Sequence, residues 1–202
     1  ASSNIDGWII AGGASRRMGV DKAALIIGGR TMIEIAALAL SNICEDRIYI
    51  AGQPRESAPE WPAFPDDVAN TGPLAGLLTA LTNGTSEWIA VLSCDMPFVT
   101  GEVFERLASL DEPGTDAIVP IQADGRPQSL CALYRRKAVY SVVKDLIAGS
   151  ERSMQNLLSR LNVQYIPFSA LRDLTNTDAL FLNINSPDDY DRAKSLLAAA
   201  DS

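Results

Sequence analysis

Histidine is absent from the 202 residues of this chain. Without it, Ser-His and Cys-His nucleophilic catalysis, acid–base catalysis by imidazole and most zinc sites are excluded. Any chemistry must therefore use carboxylates, lysine, arginine, backbone groups or a hard metal ion.

Cysteine and positive charge are both scarce. The three cysteines, Cys44, Cys94 and Cys131, are widely spaced without metal-ligand pairing, so we expect buried free thiols. The formal net charge is −8, which argues against general binding to nucleic acid or a membrane surface, because both need a basic face. Residues 1–6 show neither the basic region nor the apolar run of a signal peptide or transmembrane span, so we expect a cytoplasmic protein.

The remaining composition favours one folded unit. With 47% hydrophobic residues the chain can bury one sizeable core, and we expect a single domain over residues 1–202. Short apolar runs alternate with helical patterns, including a capping box at Thr31 to Glu34 that opens an apolar stripe. This alternation predicts a three-layer α/β/α sandwich around a mostly parallel, Rossmann-like sheet.

Two further strand predictions concern the second half of the chain. An Asp-Gly turn at Asp124-Gly125, between a strand predicted at 116–120 and a returning run at 129–134, predicts a β-ribbon added to the sheet. Residues 181–185 have the two-residue period of a strand, which would place Asn183 and Asn185 on one face.

A strand followed by a glycine-broken, basic loop stands near the start of the chain. The glycines would let backbone N–H groups converge on an anion, and the basic side chains add positive charge. These residues are Gly12, Gly13, Gly19, Arg16, Arg17 and Lys22. Neither the dinucleotide fingerprint nor the P-loop pattern is met, because Gly12 and Gly13 are adjacent and Ala23 follows Lys22. We predict an anion site; the alternative is a surface turn with solvated cations.

The most strand-like stretch, Trp88 to Leu92, leads directly to Asp95. A carboxylate at the carboxyl end of a central parallel strand lies where open α/β sheets place their chemistry. We predict that Asp95 is a metal ligand; the alternative is that it only bonds the following turn. The turn at Gly72, followed by an apolar helix with Pro73 in its first turn, would expose N–H groups that could meet an anion or a base edge.

Taken together, the motifs resemble those of the molybdenum cofactor guanylyltransferases, which have the nucleotide-diphospho-sugar transferase-like fold. They occur in the same order over nearly the full length: Ala11-Gly12-Gly13, Arg16-Arg17-Met18-Gly19, Asp21-Lys22, Gly72-Pro73-Leu74-Ala75-Gly76, Cys94-Asp95-Met96-Pro97, Arg126-Pro127 and Asn183-Ile184-Asn185-Ser186-Pro187. The resemblance implies transfer of GMP from GTP to the phosphate of molybdopterin that carries molybdenum, with release of pyrophosphate. The related cytidylyltransferases typically carry Ala-Ala-Gly and Pro-Lys in the first loop, so this chain favours guanine.

The resemblance also implies roles for individual residues. The nucleotide would be bound by Ile10, Ala11, Gly12, Gly13, Lys22, Asp66, Gly72, Gly76 and Asp95. Lys22, Arg17 and Asp95 would be catalytic, and Asp95 with Asn185 would hold Mg²⁺. Arg16, Arg126 and Arg152 would meet the second substrate, although exposed arginines more often have no chemical role. Asn183 and Asn185 have strand-end hydrogen bonding as their alternative role.

One departure from the family concerns the residue after the second strand. Family members can carry an asparagine there that contacts the nucleotide, whereas this chain has Ala51, with Gln53 as a substitute donor nearby.

Three functions therefore stay open: the guanylyltransferase, a nucleotidyltransferase that uses CTP or another phosphate acceptor, and a non-catalytic nucleotide-binding protein. The set of Gly13, Lys22, Asp95 and Asn185 argues against the last. The implied partners are GTP and molybdopterin, without nucleic acid or membrane, and there is room for transient contacts with other cofactor-biosynthesis proteins or recipient molybdoenzymes.

Overall fold

The computed structural model describes residues 4–11, 21–66, 72–175 and 178–200. The strands are β1 (Ile5–Ile10), β2 (Ile26–Ile27), β3 (Arg30–Thr31), β4 (Ile48–Ala51), β5 (Ala63–Phe64), β6 (Trp88–Ser93), β7 (Ala117–Pro120), β8 (Cys131–Arg135) and β9 (Val163–Ile166). The α-helices are α1 (Met32–Cys44), α2 (Pro73–Asn83), α3 (Gly101–Ser109), α4 (Arg136–Ala148), α5 (Met154–Ser159) and α6 (Pro187–Ala200). Short 3-10 helices cover Lys22–Ala24, Phe168–Leu174 and Asp178–Phe181.

Seven strands form one sheet in the order β5, β4, β1, β6, β8, β7, β9, while β2 and β3 pair separately. Only β8 runs antiparallel to its neighbours in the larger sheet. The other strands run in one direction, so β5, β4, β1 and β6 all end at the same side, which we call the carboxyl edge. The predicted mostly parallel α/β fold is confirmed.

The layers follow from the alternation of side chains along β1. Ile9 packs on one face with residues of α1 and α3, whereas Trp8 packs on the other with residues of α2, α4 and α5. Both side chains are fully buried, and burial of an apolar side chain of this size contributes about 1.5–3 kcal/mol. Helices on both faces of the sheet give the three layers that the sequence predicts.

The predicted capping box begins α1. The Thr31 hydroxyl accepts from the Glu34 N–H at 3.3 Å, and the Glu34 carboxylate accepts from the Thr31 N–H at 2.7 Å. The bond from the Thr31 N–H, and then a second one from the Thr31 hydroxyl to the same carboxylate at 3.0 Å, lower the pKa of the Glu34 carboxyl. Two N–H groups that the helix itself cannot satisfy are thus paired.

The predicted β-ribbon is built into the sheet. β7 and β8 are the antiparallel pair expected around Asp124-Gly125, but β8 also pairs with β6 over five residues and lies between β6 and β7. The ribbon is therefore part of the main sheet. Beyond Pro120, an isolated bridge pairs Ile121 with Pro127.

The predicted strand over residues 181–185 is wrong. Phe181 ends a 3-10 helix, and the next four residues form no strand. The alternation of apolar and polar residues has another cause, because Ile184 is fully buried against Ile27, Met32 and Ala193 of α6. A single backbone bond, from the Ile184 N–H to the Asp95 carbonyl at 2.9 Å, joins this segment to the end of the sheet.

None of the helices in the described ranges combines the length and the apolar character that crossing a membrane requires.

Candidate active site at the carboxyl edge

The ends of β1 and β6 lie side by side at the carboxyl edge. Ile10 is paired with Ser93, and the Cys94 N–H donates to the Ile10 carbonyl at 3.2 Å. On the other side of β1, the Ala11 N–H donates to the Ala51 carbonyl at 3.1 Å. Ala11 and Cys94, which directly follow β1 and β6, therefore lie at the same edge of the sheet.

Lys22, Asp95 and Asn185 meet at this edge although 163 residues separate the first from the last. The Lys22 Nζ donates to the Asn185 Oδ1 at 2.8 Å and lies 3.8 Å from the Asp95 Oδ2. The Lys22 and Asp95 side chains are 19% and 18% exposed, so the group is partly shielded yet open to a ligand. We call these three residues the Lys22 group.

Asp95 is oriented from its own strand. The Ser93 hydroxyl donates to the Asp95 Oδ1 at 2.6 Å, which leaves Oδ2 directed toward Lys22. The bond to Ser93 is a local one, as the alternative role of Asp95 predicts. The second oxygen, however, has acceptor capacity beyond its lysine contact.

Asn185 is positioned by the start of α6. The Asp189 carboxylate accepts from the N–H groups of Asn185 and Ser186, each at 2.9 Å, while the Ser186 hydroxyl accepts from the Asp189 N–H at 3.2 Å. The bonds that the carboxylate accepts lower the pKa of Asp189, and the bond from the Asn185 N–H is the main cause. Asn183, by contrast, donates to the Phe181 carbonyl at 3.0 Å, so Asn185 is the asparagine that joins the site.

Cys94 lies where the ends of β1 and β6 meet. Burial first, and then the neighbouring Asp95 carboxylate, raise the pKa of its thiol to about 12, against the smaller opposing effects of Arg55 and Lys22. The thiol is therefore protonated at neutral pH and is neither a nucleophile nor a metal ligand. The prediction of free thiols is confirmed for all three cysteines.

The Lys22 group suits a metal ion that takes only a few protein ligands. Within the described ranges, three or more Asp, Glu, Cys or His side chains nowhere converge as a metal site. A carboxylate and an amide oxygen are nevertheless hard donors, and Mg²⁺ characteristically takes one or two such ligands and completes its shell with substrate phosphates and water. The donor set thus fits a divalent ion that arrives with a nucleotide.

The other predicted nucleotide-binding residues have their own contacts. Gly72, with φ of +59°, precedes α2, and a Cβ there would meet no atom of the described residues within 4 Å. Gly76 is packed, because a Cβ would lie 3.0 Å from the Ile10 Cγ2. The Asp66 carboxylate accepts from the Thr79 hydroxyl of α2 at 2.8 Å. Gly76 and Asp66 thus connect α2 to the strands at the carboxyl edge.

The two described arginines predicted to meet the second substrate are paired locally. Arg126 is 72% exposed and forms an ion pair with Asp124 at 2.7 Å, and the Arg152 Nε donates to the Gly149 carbonyl at 3.1 Å. These contacts do not involve the Lys22 group. The predicted residues Gly12, Gly13, Arg16 and Arg17 lie outside the described residues.

Arg55 is the site residue that the sequence reading missed. Its guanidinium donates to the Ala11 carbonyl and to the Asp21 carboxylate. A signal was present, because Arg55 follows β4 by four residues and parallel strands deliver such residues to the carboxyl edge. Ala51 itself offers no polar side chain, as the sequence shows.

The sheet is mostly parallel, and a lysine, a carboxylate and an amide gather at its carboxyl edge. This combination is typical of nucleotide-binding proteins of the three-layer α/β class. The site has cationic and metal-ligating groups but no imidazole, which is suited to phosphate chemistry. The chain belongs to the family described as MobA-like NTP transferase domain, whose model matches residues 7–164.

Individual relatives agree with this membership. A protein from a Geobacillus species, named a probable molybdenum cofactor guanylyltransferase, is 33% identical over 192 residues, covering 92% of this chain and 95% of its own. The crystal structure of molybdopterin-guanine dinucleotide biosynthesis protein A from Archaeoglobus fulgidus has a TM-score of 0.79 at 28% identity, covering 96% of this chain and 99% of its own. A nucleotidyl transferase from Methanothermobacter has the same fold, with a TM-score of 0.73 at 17% identity and 97% and 98% coverage. The nucleotidyltransferase family suggests a requirement for a divalent metal ion.

Proposed function

We propose that this protein transfers GMP from GTP to the phosphate of molybdenum-carrying molybdopterin, forming a guanine dinucleotide cofactor and releasing pyrophosphate. The observation that carries the proposal is the Lys22 group at the carboxyl edge of a sheet whose family is that of the NTP transferases. The choice of guanine and of molybdopterin draws on relatives named molybdenum cofactor guanylyltransferase.

The proposed reaction needs no general base. The attacking group would be a phosphate monoester, whose second pKa of about 6 leaves it largely ionised at neutral pH. The absence of histidine is consistent with this. The difficulty is instead electrostatic, because an anion must approach a more anionic triphosphate. Catalysis would therefore depend on alignment and on neutralisation of charge.

In this proposal Asp95 and Asn185 hold Mg²⁺, which when bound neutralises phosphate charge at the transferring centre. Lys22 provides the positive charge that belongs to the chain itself. Its Nζ is bonded to Asn185 and close to Asp95, so phosphate oxygens would replace these partners as acceptors when nucleotide binds. Arg17 would add charge at the pyrophosphate, and Arg16, Arg126 and Arg152 would meet the pterin phosphate.

Recognition of the base would fall to the residues around the end of β1. We assign Ile10, Ala11 and Gly12 to guanine, Gly13 to the triphosphate, and Asp66, Gly72 and Gly76 to the walls of the same site. The Ala11 N–H already donates to Ala51, so we assign the contact with guanine to the Ala11 carbonyl, which accepts from Arg55 and has a second lone pair.

The decisive experiment measures pyrophosphate release by the purified protein with molybdenum-loaded molybdopterin and each of the four common ribonucleoside triphosphates in turn. We expect release with GTP and Mg²⁺, and little with ATP, CTP or UTP. Preference for CTP would contradict the guanine assignment. Release that needs a sugar or alditol phosphate instead of molybdopterin would contradict the acceptor. Binding of GTP without release under any condition would indicate a non-catalytic nucleotide-binding protein.

We also propose that residues 1–202 form one nucleotidyltransferase domain. It acts in the cytoplasm and passes its product to recipient molybdoenzymes. The three free thiols support a reducing compartment. Co-purification with a recipient enzyme would test the transfer.

A further inference from the structure

Arg55 lies in the connection that follows β4, and all three of its guanidinium nitrogens donate hydrogen bonds. Its Nε donates to the Asp21 Oδ2 at 2.8 Å, its Nη1 to the Gln53 carbonyl at 3.0 Å and its Nη2 to the Ala11 carbonyl at 2.7 Å. The side chain is only 16% exposed. A shielded arginine with three acceptors has its orientation fixed from several directions.

Two of these acceptors belong to the residues that flank the glycine-rich segment 12–20. Ala11 precedes the segment and Asp21 follows it. Arg55 thus ties together two points of the chain that ten peptide bonds separate.

Asp21 passes this restraint on to Lys22. Its Oδ2 accepts from Arg55, while its Oδ1 accepts from the Ala23 N–H at 3.2 Å. Its carbonyl accepts from the Ala24 N–H at 3.1 Å, which closes the 3-10 turn that begins at Lys22. The turn carrying Lys22 is therefore attached through Asp21 to Arg55.

The arrangement requires the shape of a guanidinium and not only its charge. Arginine presents donors in a rigid planar fork, whereas lysine has one compact ammonium on a flexible stem. A lysine at position 55 could neutralise Asp21 but could not hold Asp21 and Ala11 in the same fixed geometry.

We propose that Arg55 is a positioning residue that holds Ala11 and Asp21 together and thereby sets where Lys22 stands relative to Asp95. The inference rests on the proposed function for its catalytic part, because Lys22 acts on the triphosphate there. Its structural part does not, since it concerns how firmly the turn at residues 21–25 is held.

The structural part is tested by hydrogen exchange in the protein without nucleotide. We expect Arg55→Ala and Arg55→Lys to accelerate exchange of the Ala23, Ala24 and Leu25 amides on the order of tenfold, because a charge-assisted anchor is lost. Asp21→Asn, which weakens the same bond from the other side, should act in the same direction. Arg160→Ala is the matched control, because it removes only an exposed ion pair with Glu151.

The catalytic part is tested by steady-state kinetics of pyrophosphate release. We expect Arg55→Lys to lower kcat on the order of 10²-fold, because a small misplacement of a catalytic group has this effect, with KM for GTP changed much less. Circular dichroism establishes that each variant is folded at the assay temperature. Arg160→Ala should keep the wild-type kcat.

Two outcomes would overturn the inference. One is unchanged amide exchange in both Arg55 variants. The other is a wild-type kcat in Arg55→Lys, whether or not its amide exchange is faster. If the wild-type protein releases pyrophosphate from no triphosphate, the proposed function fails, and the inference is then decided by the exchange measurement alone.

Discussion

Two aspartates on neighbouring strands, at opposite ends of the sheet, show what separates a structural carboxylate from a functional one. Asp6 near the start of β1 is fully buried and accepts from the Thr85 N–H, the Ser86 N–H and the Ser86 hydroxyl at 2.6 to 2.9 Å, with Arg47 3.4 Å away. Asp95 after β6 is 18% exposed, and among the described residues its strong donor is the hydroxyl of Ser93. The first carboxylate has its acceptor capacity filled, and the second keeps capacity for a ligand.

The comparison predicts opposite phenotypes for the two aspartates. Asp95→Ala should lower pyrophosphate release on the order of 10²–10³-fold while the thermal midpoint stays close to wild type, because the Ser93 hydroxyl is the donor that loses a strong bond among the described residues. Asp173→Ala, which removes an exposed carboxylate paired with Arg106, is the control. A wild-type rate with Asp95→Ala would refute the metal-ligand assignment.

Asp6→Ala should instead lower the free energy of unfolding by about 3 kcal/mol, because buried donors at Thr85 and Ser86 lose their acceptor. Urea unfolding followed by circular dichroism measures this loss. At temperatures where the variant remains folded, kcat should match wild type. A large fall in the kcat of Asp6→Ala without a loss of stability would contradict the structural role of Asp6.

Lys22→Ala sharpens the comparison within the carboxyl edge. We expect turnover on GTP to fall about 10²-fold, because a fixed positive charge beside the transferring phosphates is lost. Stability should change little, since the Lys22 bond to Asn185 is near solvent. The control is Lys194→Ala, an exposed lysine paired with Asp191; equal rates for both variants would show that Lys22 has no catalytic role.

Asp189 provides the smallest effect, because its carboxylate accepts several hydrogen bonds, like that of Asp6, but lies near the surface. Its hydrogen bonds lower the pKa of the folded carboxyl. The stability it contributes is therefore present above the ordinary carboxyl pKa of about 4 and is lost as pH falls through the folded value.

Wild type should thus exceed Asp189→Asn in unfolding free energy by roughly 0.5–1 kcal/mol at pH 7, and the difference should be smaller at about pH 2. Urea unfolding at the two pH values measures it. An undiminished difference at low pH would mean that the ionised carboxylate is not its source.

Local signals predicted most of the elements. The capping box begins α1 as expected. Asp95 was identified because a carboxylate directly after a buried strand has a recognisable position in parallel sheets. The strand predicted at residues 181–185 was wrong because burial of Ile184 against α6 produces the same alternation as a half-buried strand.

Contacts between distant segments could not be predicted in this way. The bond between Lys22 and Asn185 joins residues 163 positions apart, and Arg55 meets Ala11 and Asp21 only because β4 lies beside β1. The insertion of β8 between β6 and β7 is likewise a matter of pairing between strands. Sequence patterns report which face of an element is apolar, but not which neighbour covers it.

The amino-acid sequence by itself determined the class of fold, the absence of imidazole chemistry and the polar residues that follow β1 and β6, because periodicity and composition act over a few residues. Only the tertiary structure decided that Asn185 rather than Asn183 meets Lys22, and that Arg55 holds Ala11 to Asp21. Hydrogen bonds of this kind depend on distances of about 3 Å between atoms, and such distances are set by the packing of whole strands and helices.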